Sequence, residues 1–157
     1  MTRPGVTGAR RRGREAALQI LFGVELAGTT ATRATDHYYK AFDGEPEGRD
    51  YARVLVEGVE SSLASLDEAV QKASVHWRLE RMARVDRNLL RIGAYEILHQ
   101  PDVPVAVLLD EAIELAKLYG TEDSPAFING VLNRLAEDAG RKEASTRDSS
   151  PPSRKKR

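Results

Sequence analysis

DVPVAVLLDEAIELAKLYGTEDSPAFINGVLN, residues 102–133, carries the clearest helix signals in the chain. Pro104 stands where a helix would begin and Gly120 where it would end, as expected because proline suits the first helical turn and glycine the residue after the last. Ser124 is then a suitable N-cap, and Pro125 a suitable first helical residue. An apolar stripe at helical spacing follows: Ile128, Val131, Leu132 and Leu135. The stretch therefore predicts two consecutive helices.

The rest of the chain repeats this helical periodicity. A first helix is predicted over residues 9–27, ended by a glycine, and a short second helix over residues 29–42, ended by the turn-rich DGEPEG. Residues 49–74 predict one long third helix, and residues 76–100 another long amphipathic pattern. No strand pattern competes, so we expect an all-α fold of roughly six or seven helices.

The two ends of the chain differ in composition from its centre. Residues 1–8 contain one proline and two glycines and predict a flexible leader. Residues 141–157 contain one alanine, no other aliphatic residue and no aromatic residue, which predicts a disordered basic tail. Between them, a break near residues 75–80 predicts two helical subdomains, residues 9–75 and residues 76–140.

Composition excludes several classes of protein. The chain of 157 residues has no cysteine, which rules out disulfides and thiolate metal sites. Its three histidines, His37, His76 and His99, lack the spacing of metal ligands, and no glycine-rich phosphate loop or HExxH motif is present. No apolar run is long enough to span a membrane, and no secretory signal precedes the first helix. We expect a cytoplasmic protein with no enzymatic activity, metal or cofactor.

Charge is segregated along the chain. ARRRGRE, residues 9–15, places four arginines in five positions of a chain whose formal net charge is zero. Residues 1–14 carry a net charge of +5 and residues 141–157 another +5, which leaves −10 on the segment between them. Basic arms on an acidic body hold a polyanion at one place and keep it off the rest. A solvated helix start is the alternative, although cations there oppose the helix dipole.

Two aromatic residues lie off the apolar stripes of their helices. Phe22 is near the angular positions of Arg11, Glu15 and Gln19, and Phe127 is about 90° from the stripe of the last helix. Exposed rings beside arginines are typical of single-stranded RNA binding, because bases stack on rings while arginines bind phosphates. Packing of both rings between the two subdomains is an equal alternative.

Two acidic residues, Asp86 and Glu96, lie inside an apolar helical arc. Ten residues along a helix span about 15 Å, too far for two carboxylates to act on one bond. The favoured interpretation is structural: the two carboxylates cap neighbouring helices or pair with arginines. Contact with a protein partner is the alternative.

Three blocks, ARRRGREAALQILF, VDRNLLRIGAYEIL and residues 102–133, resemble the NusB family of bacterial transcription antitermination factors, in order and over about residues 9–136. The resemblance implies two three-helix bundles packed across each other and no catalysis. It implies binding to single-stranded boxA RNA of ribosomal leader transcripts, together with NusE, a small-subunit ribosomal protein. The complex joins elongating RNA polymerase and suppresses premature termination. A homodimer recurs as a possibility in this family.

The resemblance can be carried over by position. The arginine-rich helix start and the first-helix aromatic, commonly tyrosine, match this chain, while Ala126 stands where some members have a lysine before the ring of Phe127. Asp86 matches an acidic position that could face NusE. The predicted RNA-binding residues are Arg10, Arg11, Arg12, Arg14, Gln19, Phe22, Asp123 and Phe127. The alternative function is a purely protein-binding helical adaptor, or a homodimer storage form, in which the arginines contact an acidic partner.

Overall fold

The computed structural model describes residues 8–141, and every regular element within them is helical. The predicted all-α fold is confirmed. The predicted leader and tail lie outside the described residues, except for Gly8 and Arg141. The α-helices are α1 Gly8–Ala27, α2 Ala31–Ala41, α3 Pro46–Ser61, α4 Leu63–Ala73, α5 Arg84–His99, α6 Val105–Tyr119 and α7 Ser124–Asp138, with a 3₁₀ turn at Leu79–Arg81.

The helices pack in two groups that share one apolar core. The first group is α1, α2 and α3, and its closest approach is that of α1 to α3, where a Cβ added to Gly13 would lie 2.8 Å from the carbonyl oxygen of Gly48. The second group is α5, α6 and α7, with α4 against α5 and α7. Helix α5 also packs against α1 and α3 and joins the groups. The division into residues 9–75 and 76–140 stays a prediction.

The predicted long third helix is wrong, because the chain changes direction at Ser62. The Ser62 N–H still bonds to the carbonyl oxygen of Gly58, but the helix ends there and α4 starts at Leu63. Helices α3 and α4 both contact α5, but α3 otherwise packs against α1 and α2, whereas α4 packs against α7. Local periodicity does not encode this choice of partners.

The boundary between α6 and α7 also differs from expectation. Ser124 is the first residue of α7 and is buried, so its predicted N-cap role is wrong. Its Oγ instead accepts the N–H of Thr121 at 2.9 Å and donates to Oδ1 of Asp86 at 2.7 Å. Gly120 ends α6 with φ −96°, outside the left-handed region, and a Cβ there would lie 2.4 Å from the Ser124 Oγ. Close approach, and not a left-handed turn, favours this glycine.

The first helix ends as predicted. Gly28 has φ 65°, a left-handed conformation that favours glycine, and its N–H bonds to the carbonyl oxygen of Val24 at 2.9 Å. Its start differs slightly, because Gly8, assigned to the leader, already belongs to α1.

Arg141 is part of the described fold, so the prediction of disorder is wrong for this residue. Its guanidinium donates to the carbonyl oxygen of Ile97 at 3.0 Å, in the last turn of α5, and to that of Val103 at 2.7 Å, in the connection that follows. These carbonyls lack helical partners, and a cation at a helix C-terminus is favourable to the dipole. Arg141 therefore ties the end of α7 to the connection between α5 and α6.

We predict that truncation after Gly140 and truncation after Arg141 have different effects. Removing Arg141 takes away the donor to the carbonyl oxygens of Ile97 and Val103. The free energy of unfolding should fall by about 1 kcal/mol and Tm by about 3–5 °C. Truncation after Arg141 should leave Tm nearly unchanged. Thermal unfolding followed by circular dichroism measures both, and R141A in the full chain is the matched control. Equal Tm values for all variants would show that the Arg141 contacts contribute nothing.

Candidate nucleic-acid interface

The arginines at the start of α1 differ sharply in burial. Arg14 is only 1% exposed, and its Nε lies 3.1 and 3.0 Å from the two carboxylate oxygens of Glu96. Its Nη1 lies 3.5 Å from Glu111. The pKa of Arg14 is raised, since desolvation, which lowers it, is outweighed by the attraction of Glu96 and Glu111. A phosphate contact by Arg14 is therefore wrong for this structure: the side chain is part of the core.

The sequence did contain a signal for this burial. Arg14 lies three, four and seven residues before Ala17, Leu18 and Leu21, which are all buried. Residues at these spacings share one face of a helix. The arginine tract obscured the signal, because Arg14 was grouped with its neighbours by charge and not by angular position.

Tyr51 of α3 completes the buried network around Arg14. Its hydroxyl donates to Oε2 of Glu96, and burial together with Glu96 raises the pKa of Tyr51 well above its usual value. The guanidinium of Arg10 lies over the Tyr51 ring, 4.4 Å from the centroid. Arg10 is thus half-buried against α3, and its predicted RNA contact stays a prediction.

Arg11 and Arg12 are the exposed members of the tract, with 54% and 64% of their side chains accessible. Arg11 donates from Nε to Oε1 of Glu111 at 3.1 Å and from Nη2 to Oε2 at 2.6 Å. Arg12 donates from Nε to Oε2 of Glu45 at 2.7 Å. These carboxylates raise the pKa of both arginines. Both guanidinium groups are accessible to a phosphate.

Gln19 continues the exposed face of α1. Its Nε2 donates to the hydroxyl of Tyr119 at 2.8 Å, and the same hydroxyl donates to Oε2 of Glu15. Burial and the Glu15 carboxylate raise the pKa of Tyr119 to about 12. The end of α6 is thereby fastened to the middle of α1.

The two predicted aromatic contacts lie in different surroundings. Phe22 is half-buried, with the Arg84 guanidinium 6.0 Å from its ring centroid. Phe127 is half-buried against the apolar core and lines a pocket at the start of α7. Both residues are half-buried and Phe127 packs against the core, so RNA contact and packing between the subdomains both stay predictions for these rings.

This pocket, of about 230 Å³, brings together three predicted site residues: Asp86, Asp123 and Phe127. Asp86 is half-buried and accepts a hydrogen bond from Ser124 at the start of α7, and Glu96 pairs with Arg14. The structural interpretation is therefore confirmed for Glu96, which pairs with an arginine, whereas the bond that Asp86 accepts comes from the Ser124 hydroxyl and is neither a helix cap nor an arginine pair. Contact between Asp86 and NusE stays a prediction.

A second cavity, a groove of about 350 Å³ between α1 and the end of α2, contains Arg12 and Gln19. The structure thus separates these two residues from Asp86, Asp123 and Phe127, and Phe22 lines neither cavity.

Sequence reasoning missed aromatic residues in both cavities. Trp77, 57% exposed, lines the pocket of Phe127, and Tyr38, Tyr39 and Phe42 line the groove. The available signals were a tryptophan inside the predicted break and the aromatic-rich HYYKAF. A ring can be predicted as exposed when it lies off the apolar stripe of a long helix. A loop or a short helix has no such stripe, so the sequence did not indicate that these rings are accessible.

Within residues 8–141, no group of three or more His, Asp or Glu side chains is arranged to hold a metal ion. In the same part of the chain, no helix has the length and apolarity needed to cross a membrane.

The model of the NusB family matches residues 11–137. The chain belongs to the NusB family. A relative named transcription antitermination protein NusB, from Sorangium cellulosum, is 60% identical over 134 residues, which cover 85% of this chain and 96% of the relative. A protein of the same name from Myxococcus xanthus is 44% identical over 133 residues, covering 82% and 95%.

Solved structures share the fold of this NusB-family chain. T. maritima NusB has a TM-score of 0.74 and 35% identity, over 88% of this chain and 94% of that protein. A chain from a complex of antitermination factors NusB and NusE with dsRNA has a TM-score of 0.76 and 22% identity, over 85% of this chain and 99% of the other.

Proposed function

We propose that this chain is an RNA-binding transcription antitermination factor. The observation that carries the proposal is the exposed face of α1, where two arginines, an amide and an aromatic ring lie within an arc of about 100°. Arg11 and Arg12 supply phosphate contacts, Gln19 a hydrogen-bonding group and Phe22 a stacking surface. The names of the Sorangium and Myxococcus relatives support antitermination as the process.

The proposed ligand is single-stranded boxA RNA of ribosomal leader transcripts. Stacking on the half-buried rings of Phe22 and Phe127 requires unpaired bases, because a base in a duplex cannot stack on a side chain. Asp123 lies beside Phe127 in the same pocket, where its carboxylate can accept an N–H from a base edge. The acidic remainder of the chain repels RNA from other surfaces.

The proposed partners are NusE and, through the assembled complex, RNA polymerase in the cytoplasm. The solved complex that shares this fold contains NusB, NusE and dsRNA, which supports a joint surface for protein and RNA. The proposed activity is binding, with no catalytic step. A protein-binding adaptor is the alternative that the following experiments exclude or favour.

We predict that R11A/R12A weakens binding of all RNAs and lowers its salt dependence. Each phosphate contact on a single strand contributes about −0.7 to the slope of log affinity against log salt concentration, so the slope should become shallower by about 1.4. Fluorescence anisotropy with boxA RNA at several salt concentrations measures this change.

The matched control is R53A/R134A. Arg53 and Arg134 are also arginines paired with a carboxylate, Asp36 and Asp138 respectively, and 38% and 53% of their side chains are accessible, but they lie on α3 and α7. The control removes the same charge and should leave a slope closer to that of the unmodified protein. If R11A/R12A keeps the original affinity and slope, the adaptor function is favoured.

A second prediction concerns the ring of Phe22. F22L keeps apolar bulk but loses the ring, so boxA affinity should fall by about 1–3 kcal/mol with an unchanged salt slope. F22Y keeps a stacking face and should bind nearly as well as the unmodified protein. Anisotropy titrations and Tm are measured on the same samples. Equal boxA affinity of F22L and F22Y would show that the ring of Phe22 does not stack on a base.

A third prediction concerns Asp86 and NusE. D86K places a cation where an acidic side chain would meet a basic ribosomal protein, and should weaken heterodimer formation measured by calorimetry. S124A is the control, because it removes the hydrogen bond to Asp86 and keeps the charge. We expect S124A to lower Tm without a comparable loss of NusE affinity. Unchanged NusE affinity in D86K would place Asp86 outside the interface.

A further inference from the structure

Arg11 is held in place by a carboxylate that solvent barely reaches. Glu111 is on α6 and its side chain is 3% exposed, yet it bonds to both Nε and Nη2 of Arg11, whose side chain is 54% exposed. Such a two-point contact fixes the plane of the guanidinium as well as its position. An exposed arginine without it would sample many rotamers.

We propose that Glu111 is a positioning residue for RNA binding: it orients Arg11 so that the remaining guanidinium donors face a phosphate. The inference rests on the proposed function, in which Arg11 contacts RNA. A guanidinium has five N–H donors, and the fork to Glu111 uses one on Nε and one on Nη2. The other Nη2 hydrogen and both Nη1 hydrogens remain for a ligand on the opposite edge.

Glu111 is itself positioned from the side of the core. Its Oε1 lies 3.5 Å from Nη1 of Arg14, and Arg14 is in turn bound to Glu96. The carboxylate therefore sits between one buried and one accessible arginine. Arg14 and Glu96 are fixed by packing, so the carboxylate of Glu111 has little conformational freedom. The conformation of the accessible Arg11 side chain is therefore set by the position of Glu111.

The neighbouring pair, Arg12 and Glu45, lacks these properties. Glu45 precedes the first residue of α3, its side chain is 33% exposed, and both Nε and Nη2 of Arg12 contact the single oxygen Oε2. A partner of this kind can move away and be replaced by a phosphate. Arg12 is thus a mobile contact, and Arg11 an oriented one.

A masking role for Glu111 is the opposing possibility, and it predicts the opposite sign. If the carboxylate only occupied the phosphate position, E111Q would release Arg11 and tighten RNA binding. If Glu111 orients Arg11, E111Q weakens binding, because the neutral amide cannot accept both N–H groups. E111Q also removes a negative charge near the RNA, and this general effect must be subtracted.

A double-mutant cycle on the full chain makes the subtraction. Affinity for single-stranded boxA RNA is measured for the unmodified protein, E111Q, R11A and E111Q/R11A. We expect R11A to weaken binding about tenfold and E111Q about fivefold, while E111Q in the R11A background changes affinity less than twofold. The inference is overturned if E111Q changes affinity by the same factor with and without R11A, or if E111Q alone binds RNA more tightly than the unmodified protein. If R11A has no effect, the proposed RNA contact of Arg11 fails first, which is a distinct result.

Two more variants separate positioning from folding. R11K changes an accessible side chain and keeps the charge, but lysine cannot form the fork, so affinity should fall nearly as far as in R11A while the salt slope is retained. D67N alters a carboxylate on α4 that forks to the buried Arg91 at 2.7 and 2.9 Å, outside the network of Glu111. It should lower Tm and leave RNA affinity within about twofold. R11K binding as well as the unmodified protein would overturn the inference even if E111Q does not fold.

Discussion

The buried ion pair between Arg14 and Glu96 is the contact on which the arrangement of this protein depends. It joins α1 to α5, and Tyr51 on α3 and Glu111 on α6 bond to the same two groups. Replacing a buried ion pair with apolar groups can be neutral, but removing one partner typically costs about 3–5 kcal/mol. The buried polar groups of this network are therefore paired only when all four helices, α1, α3, α5 and α6, are packed together.

This constraint determines which side of α1 faces outward. With Arg14 directed inward among Ala17, Leu18 and Leu21, Arg12 and Gln19 lie toward the opposite side of α1, whereas Phe22 lies on its flank, about 80° from Arg14. Tyr119 then fixes the end of α6 beside Gln19, and the chain continues from there to Asp123 and Phe127. The core network thus fixes α1 relative to α6, while the candidate RNA contacts are divided between the groove that contains Arg12 and Gln19 and the pocket that contains Asp123 and Phe127.

Much of the fold was predictable from the sequence because it depends on local pattern. The end of α1 at Gly28 and the helices over residues 102–133 follow from glycine, proline and apolar spacing. The break at Ser62 was not predictable, since it depends on which helices α3 and α4 contact. The candidate site divides similarly: charge indicated the arginine tract, and helical spacing to Ala17 and Leu18 indicated that Arg14 is buried, but the carboxylates that pair with Arg14 and Arg11 come from distant helices and were not predictable. The exposed Trp77 required knowledge of the loop in which it lies.

The arginine tract also couples local structure to assembly. Four arginines in five positions repel one another, and cations oppose the dipole at the start of a helix. In the folded protein, carboxylates from elsewhere in the chain offset this cost: Glu45 before α3, Glu96 on α5 and Glu111 on α6. Since these acids are distant in sequence, α1 gains its compensation only when the other helices have packed. The exposed arginine face therefore forms together with the complete fold, in which Glu96 neutralises the buried Arg14 and leaves Arg11 and Arg12 at the surface.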